Sequence, residues 1–361
     1  MNEFEGLKEM GCSPRWQALF EPYLGAGCTM ARVVRSDRGS CLTATRSGIM
    51  RAKPSTRLLK EALGSTDLPA VGDWVAVSAP DQIDVPLIEA VLDRASAITR
   101  GDPGKTSDVQ VLAANIDIVF VVHPIAEQPN LRRIERELAL AWDSGAAPVV
   151  VLTKADLSPD PVAARESVES VAFGSDVLLV NALSGESVQA LLSRISNYRT
   201  AVLIGPSGAG KSTLINTLLG EHRQKTREVR VSDSRGRHTT VSRELIQIPL
   251  GGIIIDTPGL RELGLTGSEE GISAAFPDIG RFALECRFRD CTHHDEPGCA
   301  VRTAIESGAI PMERLASYHK LEREAEVAAM KTDMRLRAEE KRKWKIIHKS
   351  VRNFHKLTGR S

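Results

Sequence analysis

The residues best suited to chemistry form one glycine-rich segment, which reads GPSGAGKS from Gly205 to Ser212. It fits G-x-x-x-x-G-K-[ST], the pattern of a phosphate-binding loop between a strand and a helix. Its glycines let backbone N–H groups turn toward a phosphate, and the helix start adds a positive dipole end. Lys211 is expected to reach the β- and γ-phosphates, and the Ser212 hydroxyl to bind Mg²⁺. A glycine-rich turn without a ligand is the alternative, which the flanking strand and helix patterns disfavour. The predicted nucleotide-binding residues here are Gly205, Pro206, Ser207, Gly208, Ala209, Gly210, Lys211, Ser212 and Thr213.

A second phosphate motif, DTPG, follows the apolar run GIII and extends from Asp256 to Gly259. An acid at a strand end can hold Mg²⁺ through water, and a glycine N–H can meet a γ-phosphate. The same four residues also make a good turn, so this motif alone is weak. Together with the glycine-rich loop it indicates a nucleoside triphosphatase that senses the γ-phosphate.

The base is predicted from the four residues TKAD, Thr153 to Asp156, which follow the apolar run VVVL. A carboxylate accepts hydrogen bonds from guanine N1–H and N2–H₂, whereas adenine presents an unprotonated N1. Asp156 therefore favours GTP, and the stem of Lys154 is expected to lie along the purine ring. Asn181 and Ala182, after the run VLLV, are expected to supply a backbone N–H to guanine O6. An Asp156 that only caps a helix is the alternative.

Residues 235–240, RGRHTT, lie between the two phosphate motifs and are polar, basic and glycine-containing, which predicts a loop. Thr240 or Thr239 is expected to bind Mg²⁺ and the γ-phosphate when GTP is bound. Leu260 stands where many GTPases place a glutamine that orients water, and leucine cannot do so. Unaided hydrolysis is therefore expected to be slow, with His238 or a partner supplying the missing group. The predicted catalytic residues are His238, Lys211 and Thr240.

The motifs occur in an unusual order along the chain, with the base-reading residues first, the phosphate loop next and DTPG last. Common GTPases begin with the phosphate loop and end with the base-reading residues. A circular permutation explains the difference, because a packed sheet survives when old termini are joined and new ones open at the surface. The segment after DTPG then leads directly into the C-terminal region, so the nucleotide state is expected to move that region.

Three cysteines and one histidine occur close together as C-x₄-C-x-H-x₅-C, at Cys286, Cys291, His293 and Cys299. Three thiolates and one imidazole are enough for a closed, tetrahedral structural Zn²⁺ site, which has no open position for catalysis. His294 is the alternative fourth ligand. The cysteines at 12, 28 and 41 are scattered and are expected to be buried or inert thiols. The sequence therefore predicts one structural Zn²⁺.

Positive charge is concentrated at the C-terminal end of a chain whose total formal charge is only +1. Residues 331–361 contain eleven Lys or Arg and three acids, a net charge of +8, which leaves −7 for the rest. Such asymmetry suggests contact with nucleic acid or an anionic membrane. Basic residues at 341–356 alternate with Trp344 and Phe354, a composition that can neutralise phosphates and stack on unpaired bases. The alternative is an amphipathic helix whose apolar stripe packs on the protein, and one helix can do both.

The elements that must position these residues divide the 361-residue chain into three predicted domains. Residues 1–105 combine an irregular start, without assigned function, with short β-rich runs that indicate a small β-barrel, a candidate OB-fold. Residues 106–268 alternate apolar strands with amphipathic helices, which predicts an α/β domain with a parallel sheet covered on both faces. Residues 269–361 hold the Cys/His cluster and one or two helices rich in Glu, Lys, Arg and Ala. The polar residues 100–109 are interpreted as a linker.

Composition excludes several classes of protein. Apolar residues make up 42% and charged residues 26%, both ordinary values for a folded chain, so wholesale disorder and fibrous repeats are excluded. The first residues include acids where a signal peptide needs basic ones, and no apolar run approaches about 18 residues. We therefore expect a cytoplasmic protein that does not bind membranes.

With these motifs, the sequence resembles the circularly permuted, small-ribosomal-subunit-dependent GTPases of the RsgA/YjeQ family. The resemblance rests on LAANID at 112–117, TKAD, GPSGAGKST, GRHTT, DTPG, the Cys/His cluster and the basic tail, and spans nearly the whole chain. It implies an N-terminal OB-fold, a zinc-binding C-terminal domain and a GTPase that acts late in small-subunit maturation. It also implies hydrolysis stimulated by that subunit. Thr153 replaces the usual Asn, and Asn181 stands where a Ser is usual, so modest guanine affinity is expected.

Three functional hypotheses follow. The first is a Mg²⁺-dependent GTPase, monomeric, that binds GTP and GDP and associates with the small ribosomal subunit and its rRNA. The second is an RNA- or ribosome-binding adaptor in which GTP is a structural switch ligand and hydrolysis is incidental, which Leu260 keeps open. The third is an ATPase or kinase, and Asp156 argues against it.

Overall fold

The computed structural model describes residues 4–78, 85–101, 109–181, 185–220, 243–249, 251–257 and 269–329. Within these ranges the chain forms an N-terminal barrel, a central α/β sheet and a C-terminal group of helices, which confirms the predicted fold class. None of the helices in this part of the chain is long and apolar enough to cross a membrane. The predicted boundaries after residues 105 and 268 stay predictions.

The N-terminal residues are more regular than the sequence predicts. A 3₁₀ helix covers Glu5–Met10, and helix α1 covers Pro14–Leu24. Trp16 and Phe20 lie one helical turn apart and are both buried, and Trp16 stacks on Trp74 with 6.1 Å between the ring centroids. The prediction of an irregular start is wrong for these residues, because tertiary packing stabilises a helix too short to persist alone.

Five strands close the barrel in the order β1-β2-β3-β5-β4, and β4 pairs back with β1, which confirms the predicted OB-like barrel. Helix α2 (Thr56–Glu61) follows β3, and Ser55 caps it by accepting a hydrogen bond from the Leu58 N–H at 3.1 Å. The strands are β1 (Thr29–Asp37), β2 (Ser40–Thr45), β3 (Gly48–Pro54), β4 (Trp74–Ser78) and β5 (Leu87–Val91).

A separate two-stranded ladder follows the barrel strands along the chain. Strand β6 (Ala97–Gly101) pairs antiparallel with β7 (Val109–Ala114), and Gly101 stands opposite Val109. The predicted linker at 100–109 is therefore wrong at both ends, where ladder pairing satisfies backbone groups that a linker would leave to water. Residues 102–108 lie outside the described residues.

The central sheet has the order β10-β9-β8-β11-β13-β12 and is parallel except for β12. Strand β12 also pairs antiparallel with β1, with Glu244 opposite Arg35, and so joins this sheet to the barrel. The inner parallel strands β8, β9, β11 and β13 are almost fully buried, as expected for a sheet covered on both faces, whereas the edge strand β10 is partly exposed. The strands are β8 (Ile118–Pro124), β9 (Ala147–Thr153), β10 (Asp176–Val180), β11 (Thr200–Ile204), β12 (Glu244–Ile248) and β13 (Gly252–Asp256). The accompanying helices are α3 (Leu131–Asp143), α4 (Pro161–Glu169), α5 (Gly185–Ile195) and α6 (Lys211–Leu219).

The C-terminal helices pack on the central domain through α3. They are α7 (Glu269–Ala275), α8 (Pro277–Ala283), α9 (Ala300–Glu306) and α10, of which residues 312–329 are described. Gly271 of α7 lies so close to α3 that a Cβ there would come within 2.6 Å of the Ala139 carbonyl oxygen. Apolar side chains of the C-terminal helices share one hydrophobic core with α3. The helical character predicted for this region is confirmed, and the basic tail at 341–356 lies outside the described residues.

One buried arginine ties the C-terminal helices to α3. Arg314 donates to Glu135 of α3 at 2.8 Å and to Asp278 of α8 at 2.6 Å. Its guanidinium also lies over the rings of Phe173 and Phe276. Removing one member of such a buried charge network leaves the others uncompensated, so the contact fixes how the two parts pack.

Candidate nucleotide site and metal centre

The glycine-rich segment forms the turn between β11 and α6 that the sequence predicts. Gly205 has a φ of 134°, and a Cβ there would lie 2.1 Å from the Val122 carbonyl oxygen, so glycine is required. Gly208 has a φ of 79° and open space where a Cβ would stand. The backbone therefore curves around a space that side chains do not fill, in front of the start of α6. Such a cradle fits the phosphates of a nucleotide.

Lys211 lies at the mouth of this loop. Its ammonium donates to the carbonyl oxygens of Gly205 at 2.8 Å and Pro206 at 2.7 Å. Ser212 and Thr213 follow in the first turn of α6 and are half-buried. The loop thus holds a positive charge and a hydroxyl at the end of the helix where anions are favoured.

Thr153 connects the base-reading residues to the glycine-rich loop. It is buried at the end of β9, and its hydroxyl donates to the Ala209 carbonyl oxygen at 2.6 Å, with the His123 carbonyl oxygen 3.3 Å away. The sequence predicts Thr153 as a nucleotide-binding residue that departs from the usual Asn, and it does not predict this contact. Ala209 is 56 residues away along the chain, so no local pattern signals it.

Side chains of α3 hold the end of β8 in position. His123 is buried, and its Nε2 lies 2.7 Å from Glu137 of α3. Arg133 donates to the other oxygen of the same carboxylate at 2.9 Å. These contacts hold the backbone beside Thr153 against α3, and no pattern in the sequence predicts them.

The remaining base-reading residues lie at the same edge of the sheet. Lys154 adopts a left-handed conformation with a φ of 59°, and Asp156 follows in a 3₁₀ turn, with both side chains exposed. Val180 stands opposite Thr153 in the parallel pairing of β10 with β9, so half-buried Asn181 comes next to this turn. The carboxyl ends of adjacent parallel strands therefore bring the predicted base and phosphate residues together.

Asp256 ends β13, which pairs with β11 beside the glycine-rich loop. Glu244 stands directly opposite on β12. Burial, followed by the negative charge of Glu244, raises the pKa of Asp256 above its ordinary value. Thr257 is buried next in the chain, and its hydroxyl has no hydrogen-bond partner in the described part of the protein. An ionised Asp256 and this hydroxyl fit a site that binds a cation and phosphate.

Several predicted residues of the nucleotide site lie outside the described residues, and their roles stay predictions. They are Ala182, His238, Thr239, Thr240 and Gly259.

The four residues of the predicted metal cluster come together. The ligand atoms of Cys286, Cys291, His293 and Cys299 all lie within 4.8 Å of one another. The Cys286 sulfur is 3.9 Å from that of Cys299 and 3.7 Å from His293 Nδ1, and the Cys299 sulfur is 3.5 Å from the same nitrogen. Zn–S bonds of about 2.3 Å and Zn–N bonds of about 2.0 Å in a tetrahedron give ligand separations of about 3.5–3.8 Å. The four residues therefore fit a tetrahedral Zn²⁺ site.

His294, the alternative ligand, is not in the cluster. Its side chain is exposed and stacks on His319, with 4.2 Å between ring centroids. Glu296 organises the turn that holds these residues, because it accepts hydrogen bonds from the Thr292 and His294 N–H groups, both at 2.9 Å. Hydrogen bonds from Thr292, followed by those from nearby backbone groups, lower the pKa of Glu296 to about 2. This loop directs His293 inward and His294 outward.

Comparison with known proteins agrees with this arrangement. The family model for the RsgA GTPase matches residues 91–266. A protein of Streptomyces coelicolor named small ribosomal subunit biogenesis GTPase RsgA is 46% identical over 94% of this chain and 92% of its own length. A protein of the same name from Opitutus terrae is 42% identical over 98% of this chain and 99% of its own length.

Two solved structures have a similar fold. YjeQ from Thermotoga maritima has a TM-score of 0.63 at 25% identity, covering 82% of this chain and 98% of that one. YloQ, described as a circularly permuted GTPase, has a TM-score of 0.60 at 23% identity, covering 83% of this chain and 95% of that one. The permuted fold predicted from the order of the motifs is confirmed.

Proposed function

The chain belongs to the RsgA GTPase family, and from this membership we propose that it hydrolyses GTP on the small ribosomal subunit, late in the maturation of that subunit. The observation that carries the proposal is the hydrogen bond from Thr153 to Ala209, which joins the base-reading residues to the phosphate loop. Because the base-reading residues and the phosphate loop are held together, one site can recognise both the base and the triphosphate of a single nucleotide. Relatives that are 42–46% identical over nearly the whole chain are named for this process.

Different residues of the chain bind the phosphates, the base and Mg²⁺. Backbone N–H groups between Gly205 and Ser212 hold the phosphates, and Lys211 exchanges its two carbonyl partners for phosphate oxygens. Asp156 accepts the guanine N1–H and N2–H₂ donors, while Asn181 and Ala182 approach O6. Ser212 and Asp256 are the residues that would hold Mg²⁺, which neutralises charge on the β- and γ-phosphates when bound.

Hydrolysis needs a group that orients water. Leu260 cannot provide it, and we propose that His238 does so, with Thr239 or Thr240 at the γ-phosphate. Association with the small subunit would complete this arrangement. The rate of GTP hydrolysis with the small subunit bound, more than the rate of the isolated protein, is then the activity that serves the function.

Basic surfaces support contact with the rRNA of the small subunit. Six exposed basic side chains lie on the barrel between the β1–β2 turn and the end of α2. A second basic surface, near the metal cluster, carries exposed Arg287 and Arg289 beside Phe288. Basic side chains neutralise phosphates, and rings stack on unpaired bases. The barrel residues are Arg38, Arg46, Arg51, Lys53, Arg57 and Lys60.

The Cys₃His cluster is proposed to hold one structural Zn²⁺. All four ligand positions come from the protein, so no position remains for a substrate. Its role is to hold the fold of the loop that carries Arg287 and Arg289. We further propose that the protein acts as a monomer in the cytoplasm, where the small subunit matures.

Co-sedimentation with purified ribosomal subunits tests the association. A non-hydrolysable GTP analogue is expected to give stronger binding to small subunits than GDP does, and large subunits are expected to bind neither form. Replacing both Arg51 and Lys53 by Glu should weaken this binding, whereas the charge-matched double change of exposed Arg165 and Arg199 of the central domain to Glu should not. Equal binding of both nucleotide states to both subunits would contradict the proposal.

A further inference from the structure

Arg32 of β1 is completely buried, at a point where three parts of the protein meet. Its Nη2 donates to the Thr200 hydroxyl at 2.8 Å and to the Asn115 carbonyl oxygen at 3.3 Å. Its Nε donates to the Gly72 carbonyl oxygen at 3.3 Å, and its Nη1 donates to the Met10 carbonyl oxygen. One guanidinium therefore bonds four segments that are distant in sequence.

The partners belong to different structural parts. Met10 ends the N-terminal 3₁₀ helix, and Gly72 precedes barrel strand β4. Thr200 is the first residue of β11, the strand that leads into the phosphate loop. Arg32 thus connects the barrel and the N-terminal segment to the strand that carries the nucleotide site.

The N-terminal segment fits closely over this arginine. Gly11 has a φ of 81°, and a Cβ there would lie 2.9 Å from both Arg32 Nη1 and the Tyr198 carbonyl oxygen. Nearby, Gln247 of β12 donates to the Glu9 carbonyl oxygen at 3.0 Å. The segment therefore contacts the barrel arginine and the central domain at once.

The oxygens that accept hydrogen bonds from Arg32 are neutral, and the nearby carboxylates of Asp117 and Asp73 attract its charge. Its guanidinium lies 5.3 Å from the centre of the Trp74 ring. The carboxylate of Asp73 is bound by Arg94 at 2.6 Å, and that of Asp117 accepts the Thr200 N–H at 2.7 Å. A buried cation bound by carbonyl and hydroxyl oxygens is stable only while those oxygens keep their positions. Displacing the barrel from β11 would therefore break the hydrogen bonds that compensate this buried charge.

We propose that Arg32 is a positioning residue that locks the barrel and the N-terminal segment to β11, so that subunit contact at the barrel acts on the phosphate loop. The lock is required for subunit-stimulated hydrolysis and not for intrinsic hydrolysis. This second statement rests on the proposed function. It also assigns a role to the N-terminal residues, which the sequence leaves without one.

The test compares Arg32→Met with the matched control Arg15→Met, which removes an exposed arginine of α1. Gly11→Ala alters the N-terminal segment, and Thr200→Val alters β11, at the junction where both meet Arg32. These two variants replace Arg32→Met in the test if that variant does not fold. Two quantities are measured for each full-length variant. One is the ratio of GTP turnover with small subunits to turnover without them, and the other is hydrogen exchange of the amides in residues 5–12 and 196–201.

In the junction variants the turnover ratio is expected to fall about tenfold, and the junction amides to exchange faster, while intrinsic turnover stays within about twofold. Arg15→Met should match the unmodified protein in both. A variant that lowers intrinsic and stimulated turnover equally, or leaves junction exchange unchanged, overturns the proposal. If subunits do not stimulate the unmodified protein, the proposed function fails, and the exchange measurement alone decides whether Arg32 locks the junction.

Discussion

The hydroxyl of Thr153 lies 2.6 Å from the carbonyl oxygen of Ala209, so the base-reading residues and the phosphate loop are joined directly. Thr153 is buried, and its backbone neighbours are held in turn by the contact of His123 with Glu137 of α3. A threonine can make this bond because its single proton is directed at a carbonyl oxygen within the loop. The departure from asparagine therefore keeps a connection between the two halves of the site.

Thr153→Val is expected to weaken binding of guanine nucleotides about tenfold. Valine has nearly the same shape but leaves the buried Ala209 carbonyl oxygen without its donor, which costs about 1–3 kcal/mol. Titration with a fluorescent GDP analogue measures the change. Thr153→Ser keeps the hydroxyl and should bind within about threefold of the unmodified protein; equal affinity of the Val and Ser variants would show that the bond does not matter.

Cys299→Ser is expected to abolish the binding of one equivalent of Zn²⁺ per chain. The Cys299 sulfur is buried and lies near both Cys286 and His293, and a hydroxyl is a much poorer ligand than a thiolate. Metal content by mass spectrometry measures the loss. The control is His294→Ala, which should retain the full equivalent because the His294 side chain stacks on His319 outside the cluster. Loss of zinc from the His294 variant would contradict the assignment of His293, and not His294, as the fourth ligand.

Arg314→Met is expected to lower the free energy of unfolding by about 3–5 kcal/mol, because it leaves the carboxylates of Glu135 and Asp278 without their cation. Urea titration followed by circular dichroism gives the value. Arg302→Met removes a more exposed ion pair with Asp295 and should cost no more than about 1 kcal/mol. Similar losses in the two variants would contradict the view that Arg314 fixes the C-terminal helices on α3.

Glu244→Gln is expected to move the acidic limb of the pH profile for GTP turnover to lower pH. Burial and the charge of Glu244 raise the pKa of Asp256, and removing that charge lets Asp256 ionise, and hold a cation, at lower pH. Because the pKa of Asp256 is raised in the folded protein, its protonated form stabilises the fold. This stabilisation is complete below the ordinary Asp pKa of 3.8, and it is lost as the pH rises through the pKa of Asp256 in the folded protein. Turnover measured across pH, with Glu61→Gln as control, tests the shift. An unchanged pH profile of turnover in Glu244→Gln would show that the charge of Glu244 does not affect the ionisation of Asp256.

The sequence predicts those parts of the site whose residues are close together in the chain. The glycine-rich loop and the Cys/His cluster have fixed spacings, because one turn or one ion determines which residues must be neighbours. Helix α1 was missed because its stability comes from packing of Trp16 and Phe20 on the barrel. Contacts such as Arg314 with Glu135, 179 residues apart, leave no local pattern. Only the fold brings those side chains together.

GTP turnover of the purified protein alone, with small subunits, and with large subunits, all at one salt concentration, tests the proposed function most directly. We predict that only small subunits raise kcat/KM, by roughly tenfold or more, and that Lys211→Ala abolishes turnover in every case. Equal, slow turnover in all three conditions would contradict it and favour an adaptor that uses GTP only as a bound ligand.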